Sequence, residues 1–106
     1  MRQVAPVELK TWLADEPGSV DILDVREPWE TALCTLEGSV AIPLGDLPGR
    51  LQELDPARPT VVLCHHGVRS LSACAFLARA GFARVMNLQG GIDAWARSVD
   101  PSMPVY

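Results

Sequence analysis

The feature that most constrains this 106-residue chain is an apolar run, Thr60–Leu63, that ends at Cys64. An uninterrupted run with two valines is typical of a strand covered on both faces. A loop with Gly67 and Arg69 follows, and a helical pattern begins at Ser70. The pattern predicts a thiol at the carboxyl end of a buried strand, facing a helix N-terminus. Backbone N–H groups and the helix dipole favour a thiolate there, so we expect the pKa of Cys64 to lie below the ordinary value of about 8.5.

Apolar runs alternate with amphipathic segments along the chain, which predicts an α/β fold in a single domain over residues 1–106. We expect a central parallel sheet of about four to five strands with helices on both faces. The predicted strands are Val20–Val25, Ser39–Ile42, Thr60–Leu63 and Val85–Leu88. The predicted helices are Pro6–Ala14, Glu27–Glu30, a broken helix over Leu47–Leu54, Ser70–Ala80 capped by Gly81, and Gly91–Ala96.

Side chains at the carboxyl ends of parallel strands meet at one edge of the sheet, where α/β folds place their ligands. We therefore expect Cys64 and the segment from Asp24 to Arg26 to lie close together. Away from that edge, Val7, Leu9 and Leu13 are predicted on the apolar face of the first helix. The three tryptophans, Trp12, Trp29 and Trp95, are predicted to pack in or against the core, and Cys74 is predicted to be buried in its helix.

Charge and cysteine content exclude several classes of function. The net charge is −4, with eight arginines, one lysine and no basic block, so nucleic-acid binding is not expected. No apolar run is long enough to cross a membrane, and Met1–Pro6 has no signal-like apolar core. Three cysteines without a CxxC pair indicate a reducing, cytoplasmic setting, with no metal site and no cofactor.

Four segments, in this order and spacing, carry a resemblance to a known family. They are Asp21–Glu30 (DILDVREPWE), Gly38–Leu44 (GSVAIPL), Cys64–Ser70 (CHHGVRS) and Val85–Trp95 (VMNLQGGIDAW). The chain resembles a single-domain rhodanese over nearly its whole length, from Val7 to Tyr106. This resemblance implies a rhodanese-like fold, of the type shared with Cdc25, and a sulfurtransferase activity.

The activity implied by the resemblance is a two-step transfer through a persulfide on Cys64. The donor would be a small sulfane compound such as thiosulfate, and the acceptor would be cyanide, a thiol or a sulfur-accepting protein. The binding loop would consist of His65, His66, Gly67, Val68, Arg69 and Ser70, whose backbone N–H groups form a nest for the terminal sulfur. Gly67 lets the loop curl. Arg69 either holds the oxyanion end of thiosulfate or braces the loop.

Two further positions are assigned by resemblance. Arg26 is expected to contact the ligand, and Asp24 is expected to support the loop through hydrogen bonds. The alternative is that Asp24 caps a turn and Arg26 is a surface charge. His65 and His66 are expected on the rim of the loop, where they would meet the acceptor. Because adjacent side chains point apart, a metal ion shared by the two histidines is not expected.

Loop length separates the alternative functions. Tyrosine phosphatases and Cdc25-type enzymes share the cysteine–loop–arginine design with five intervening residues, whereas four stand between Cys64 and Arg69. The resemblance therefore implies a ring sized for sulfur and too tight for phosphate or arsenate, which makes a phosphatase or an arsenate reductase the less favoured reading. A sulfur-relay or binding module for a partner protein stays open, and so does the oligomeric state.

Overall fold

Five parallel strands form the centre of the computed structural model, which describes residues 2–106. In chain order they are β1 (Arg2–Val4), β2 (Asp21–Asp24), β3 (Val40–Ala41), β4 (Thr60–Leu63) and β5 (Val85–Leu88). Their order across the sheet is β1-β5-β4-β2-β3, so β4 occupies the middle. It pairs with β2 on one side and β5 on the other, and all four of its residues are buried. The predicted parallel sheet is confirmed.

The helices agree closely with the sequence pattern. They are α1 (Pro6–Asp15), α2 (Pro28–Thr31), α3 (Arg69–Arg79) and α4 (Gly91–Ser98). The broken helix predicted near Leu47 is a 3₁₀ segment over Leu44–Glu53, interrupted by non-helical backbone at Arg50. Gly81, with a φ of +100°, follows the end of α3 as a C-terminal cap residue should.

Alternate residues of β4, together with Cys64 that follows it, belong to two hydrophobic clusters, one on each face of the sheet. Val61 and Leu63 belong to the cluster that includes residues of α1 and α4. Val62 and Cys64 belong to the cluster that includes residues of α3 and the 3₁₀ segment. Covering on both faces explains why the sequence of β4 is continuously apolar. It also fixes the direction in which the Cys64 side chain leaves the strand.

Several apolar side chains lie closer to solvent than the sequence predicts. Trp95 is buried in the core as expected, but Trp12 is only partly buried and donates its indole N–H to Ser19 Oγ at 3.0 Å. Trp29 is 63% exposed, so its prediction as a packing anchor is wrong, and Val7 is exposed on α1 as well. A four-residue helix such as α2 presents too little surface to bury every apolar side chain that it carries.

Strand β1 was not among the predicted strands. It has three residues, of which only Val4 is buried, and it pairs at the sheet edge with β5. So short an edge strand has no alternating pattern that could reveal it in the sequence. Within residues 2–106, no helix combines the length and apolar character needed to cross a membrane.

Candidate active site

The Cys64 thiol lies where β4 ends, and only 1% of the residue is exposed. Its Sγ accepts a hydrogen bond from the backbone N–H of Gly67 at 3.1 Å. The Ser70 hydroxyl lies 3.4 Å from the same sulfur, at the start of α3. The Gly67 N–H and the Ser70 side chain therefore both contact the same sulfur atom.

These contacts decide the protonation of the thiol. Burial acts to raise the pKa of Cys64, but the Ser70 hydroxyl and the backbone N–H groups of Ser70, Gly67 and Arg69 lower it, and the net result is a lowered pKa. The direction agrees with the expectation from the sequence. Burial raises the pKa of the Cys74 thiol to about 12, and the negative charge of Cys64 acts in the same direction. Cys64 is thus the more acidic of these two buried thiols.

Strand β5 contacts the loop through the buried side chain of Asn87, which forms hydrogen bonds with it. Its Nδ2 donates to the Gly67 carbonyl at 3.2 Å and to Gln3 Oε1 at 3.0 Å. Its Oδ1 accepts a short hydrogen bond from the Ser70 hydroxyl. Sequence reasoning missed Asn87, although a lone amide inside the apolar run Val85–Leu88 was a usable signal for a buried polar role.

Helix α4 closes against the other side of the loop. The backbone N–H of Ile92 donates to the Cys64 carbonyl at 2.9 Å, and that of Asp93 donates to the His65 carbonyl at 3.1 Å. Gly91 lies beneath these bonds with a φ of +64°, and a Cβ there would come within 2.5 Å of the Cys64 carbonyl oxygen. Only glycine allows α4 to approach the loop so closely.

Arg69 braces the loop, one of the two roles expected for it. Its Nη1 and Nη2 donate to Oε1 and Oε2 of Glu30 at 2.6 and 2.7 Å. These hydrogen bonds from Arg69, with weaker help from Tyr106 and the Glu27 backbone, lower the pKa of Glu30 to about 2. The Arg69 side chain is 37% exposed and that of Glu30 only 3%, so the pair joins the loop to the buried side of α2. Glu30 was not predicted as a site residue.

Arg26 has no exposed surface, contrary both to the expected ligand contact and to the alternative that it is a surface charge. Its side chain is fully buried in an ion pair with Asp24, with Nη2 2.7 Å from Oδ2. Further donors reach the carbonyl of Glu30 and, at 2.7 Å, that of Cys34. In the part of the chain that the structure describes, the side-chain hydrogen bonds of Asp24 all go to Arg26 and none goes to the Cys64 loop. Both residues therefore hold the turn between β2 and α2 together.

His65 and His66 do not point apart, so that expectation is wrong. Their rings stack with centroids 3.8 Å apart and planes 29° from parallel. His65 also stacks on Tyr106, again at 3.8 Å and only 4° from parallel. The loop bends enough at this point to place successive side chains on one side. His66 is exposed, and Val68 farther along the loop is 71% exposed, so both side chains face the surroundings of the site.

One group of side chains offers metal-ligand atoms. His65, His66 and Asp93 place one donor atom each within 4.8 Å of one another. An imidazole binds a metal ion in the plane of its ring, and rings stacked 3.8 Å apart and only 29° from parallel do not share a nearby point that lies in both planes. Asp93 is also engaged by Arg97 at 3.0 Å. As arranged, the three residues are a poor fit for a resident metal ion.

Comparisons with known proteins agree with this geometry. The sequence profile of the rhodanese-like domain matches residues 5–98. The thiosulfate sulfurtransferase GlpE of Pseudomonas fluorescens is 38% identical over 87 residues, covering 82% of this chain and 78% of that protein. A probable adenylyltransferase/sulfurtransferase of Mycobacterium tuberculosis, MoeZ, is 38% identical over 97% of this chain, which spans only 26% of the MoeZ length.

Among solved structures, the crystal structure of a rhodanese-like domain protein from Staphylococcus aureus superposes with a TM-score of 0.86. Its sequence is 29% identical, and the match covers 100% of this chain and 99% of that one. The fold expected from the sequence is confirmed.

Proposed function

Because this chain belongs to the rhodanese-like domain family, we propose that it transfers sulfane sulfur through a persulfide on Cys64. The donor is thiosulfate or a persulfide, and the acceptor is a thiol or cyanide. The observation that carries the proposal is the Cys64 thiol, whose pKa is lowered, in spite of burial, by hydrogen bonds from Ser70, Gly67 and Arg69. A buried anion with converging donors suits both the attacking thiolate and the persulfide that follows it.

In the first step, the thiolate of Cys64 attacks the outer sulfur of thiosulfate. A bond forms between Sγ and that sulfur while the sulfur–sulfur bond of thiosulfate breaks, and its electron pair leaves with sulfite. The lone pair of Sγ becomes the new sulfur–sulfur bond, and the negative charge of the enzyme now lies on the terminal sulfur of the persulfide. The backbone N–H of Gly67 already points at Sγ at 3.1 Å, and we expect this and the other N–H groups of the loop to stabilise the charge on the neighbouring terminal sulfur.

In the second step, a nucleophile attacks the terminal sulfur. A thiolate acceptor becomes a persulfide, and cyanide becomes thiocyanate. In either case the bond between Sγ and the terminal sulfur breaks and its electron pair returns to Cys64 as a thiolate. No net oxidation or reduction is required, and the order of events is ping-pong.

Phosphatase or arsenate-reductase chemistry is disfavoured by the loop. Only four residues separate Cys64 from Arg69, and both terminal nitrogens of Arg69 are committed to Glu30. A tetrahedral oxyanion needs several free donors around its oxygens, and the arginine of a phosphatase-type loop supplies two of them. Lengthening the loop by one residue between His66 and Gly67 is expected to lower sulfur transfer; unchanged transfer would refute the ring-size argument.

The proposal is tested by intact-mass spectrometry of the reduced protein after brief exposure to thiosulfate. We expect a gain of one sulfur atom that cyanide or a dithiol removes. The Cys64→Ser variant should gain nothing, whereas the control variant Cys74→Ala, which lacks a buried thiol outside the loop, should gain sulfur like the wild type. Absence of an adduct on Cys64 with thiosulfate and with a small persulfide donor would contradict the proposal.

A relay role for a partner protein is the second candidate, and it shares the Cys64 persulfide. The same assay separates the two functions when the donor is changed. A relay module should accept sulfur from a desulfurase persulfide much faster than from thiosulfate, whereas a free-standing enzyme should turn over thiosulfate with a thiol acceptor in the absence of other proteins.

A further inference from the structure

Tyr106 contacts one end of the Cys64 loop directly and is linked to the other end through Glu30. Its ring lies parallel to that of His65, the first residue after the nucleophile, with the centroids 3.8 Å apart. Its hydroxyl donates to Glu30 Oε2 at 2.7 Å, and the same oxygen accepts from Arg69 at 2.7 Å. His65 begins the loop and Arg69 ends it, so one side chain reaches both.

The hydroxyl of Tyr106 is fixed in direction. It accepts from Arg26 Nη1 at 3.0 Å, which leaves its own proton to point at Glu30. Arg26 is itself held by its buried ion pair with Asp24. The phenol oxygen is therefore hydrogen-bonded to the buried Arg26 on one side and to Glu30 of the Glu30–Arg69 pair on the other.

The ring of Tyr106, like its hydroxyl, has contacts on more than one side. Trp29 contacts it edge to face with the centroids 6.0 Å apart, and His66 continues the stack beyond His65. Parallel and edge-to-face contacts of this kind add to the stability gained from burial alone. Burial of the phenol is the main cause that raises the pKa of Tyr106, to about 12. The hydrogen bond to Glu30 raises it further, whereas the hydrogen bond from Arg26 lowers it.

We propose that Tyr106 is a positioning residue that holds the Cys64 loop at both ends, with its ring against His65 and its hydroxyl acting on Arg69 through Glu30. Nothing in this contact requires sulfur chemistry, so the inference rests on the proposed function only where sulfur transfer is the readout. Its chemical consequence follows from the donors of the thiolate. The N–H groups of Arg69 and Ser70 are among them, so loosening Arg69 weakens the stabilisation of Cys64.

Two variants separate the hydroxyl from the ring. Tyr106→Phe removes the two hydrogen bonds of the hydroxyl and keeps the ring stack. Tyr106→Leu removes the hydrogen bonds and the stack together. The control is Val105→Ala, which shortens a half-exposed neighbour in the same segment and leaves Tyr106 in place. Thermal unfolding of each variant shows whether it is folded at the assay temperature.

The first readout is proton NMR of the imidazoles, since the chain has two histidines and one tyrosine. A ring stacked on His65 shifts its protons through the ring current, so these resonances should move in Tyr106→Leu and stay in place in Tyr106→Phe. The second readout is the pH midpoint for alkylation of Cys64, which should rise in both variants. The third readout is kcat/KM with thiosulfate. We expect it to fall about fivefold in Tyr106→Phe, the net value of the hydrogen bond to Glu30 that acts on Arg69, and to fall further in Tyr106→Leu.

The outcomes are distinct. The proposal is overturned if folded Tyr106→Leu keeps the wild-type His65 resonances, or if both variants keep the wild-type alkylation midpoint while only their thermal stability falls. If the wild type shows no sulfur transfer but the resonances and the midpoint respond as expected, the proposed function fails and the positioning role of Tyr106 is supported.

Discussion

Replacing Glu30 by glutamine tests how much the contact between α2 and the Cys64 loop stabilises the folded protein. The carboxylate accepts four hydrogen bonds, two from Arg69, one from the Tyr106 hydroxyl and one from the Glu27 backbone. Glutamine is nearly the same size, but it is neutral and has only one acceptor oxygen. The substitution therefore removes the charge and leaves the volume almost unchanged.

The magnitude follows from the pKa of Glu30, which lies near 2 in the folded protein instead of the ordinary 4.5. Between these two values the unfolded chain binds more protons than the native one, so the free energy of unfolding rises with pH across that window. The stabilisation is fully present above about pH 4.5 and is lost as the pH falls toward 2. The shift corresponds to about 3 kcal/mol, reduced to about 2 kcal/mol by the solvent that reaches the Arg69 side of the pair.

The assay is urea unfolding at a series of pH values between 7 and 2, with tryptophan fluorescence as the signal that monitors unfolding. In the wild type, Glu30 should contribute about 2 kcal/mol to the loss of stability between pH 5 and pH 2. Glu30→Gln should be less stable at pH 7 and should lose that much less over the same interval. Each curve is fitted separately at each pH, so a change in the m-value would be visible.

A matched control is available in the same chain. Glu53 accepts two hydrogen bonds from Arg50, at 2.7 and 2.9 Å, but both side chains are about 40% exposed. Glu53→Gln removes the same type of pair where solvent screens it, so its pH profile should stay close to that of the wild type. If Glu30→Gln and Glu53→Gln had the same profile, the argument from burial would be refuted.

Three further predictions concern the loop itself. Ser70→Ala should raise the pKa of Cys64 by about one unit, the worth of one hydrogen bond to a charged group, measured as the pH midpoint of iodoacetamide alkylation. Gly91→Ala should destabilise the protein by more than about 2 kcal/mol in urea, whereas Gly45→Ala, which has open space around its Cα, should not. Alkylation at pH 8 should label Cys64 before Cys74, whose pKa is near 12; equal labelling would contradict the geometry.

The centre of the site could be predicted because its signals are local. The apolar run before Cys64, the glycine in the loop and the helical pattern after it all act over about ten residues, and the structure reproduces each of them. Their meaning depends only on strand burial and on the preference of a helix N-terminus for negative charge. The parallel sheet follows from the same local alternation of strands and helices.

The supporting residues could not be predicted because their roles depend on distant partners. The sequence leaves Arg26 open as a ligand contact or a surface charge, and Asp24 as a support of the loop or a turn cap. Only the packed structure shows the two side chains paired and fully buried. Tyr106 reaches Glu30 across 76 positions of the sequence. The stacking of the two histidines follows from a bend in the backbone that no residue pattern encodes.

The bond between Gln3 and Asn87 joins positions 84 residues apart, and Asn87 in turn holds the Gly67 carbonyl. Contacts of such separation close a large loop of chain, which is entropically costly and tends to slow folding. The β2–β4 and β4–β5 pairs span shorter stretches, so we expect them to form before β1 docks at the edge. In a refolding experiment, Cys64 should become reactive toward iodoacetamide no earlier than the tryptophan fluorescence reaches its native value, so that thiol reactivity reports on completed folding.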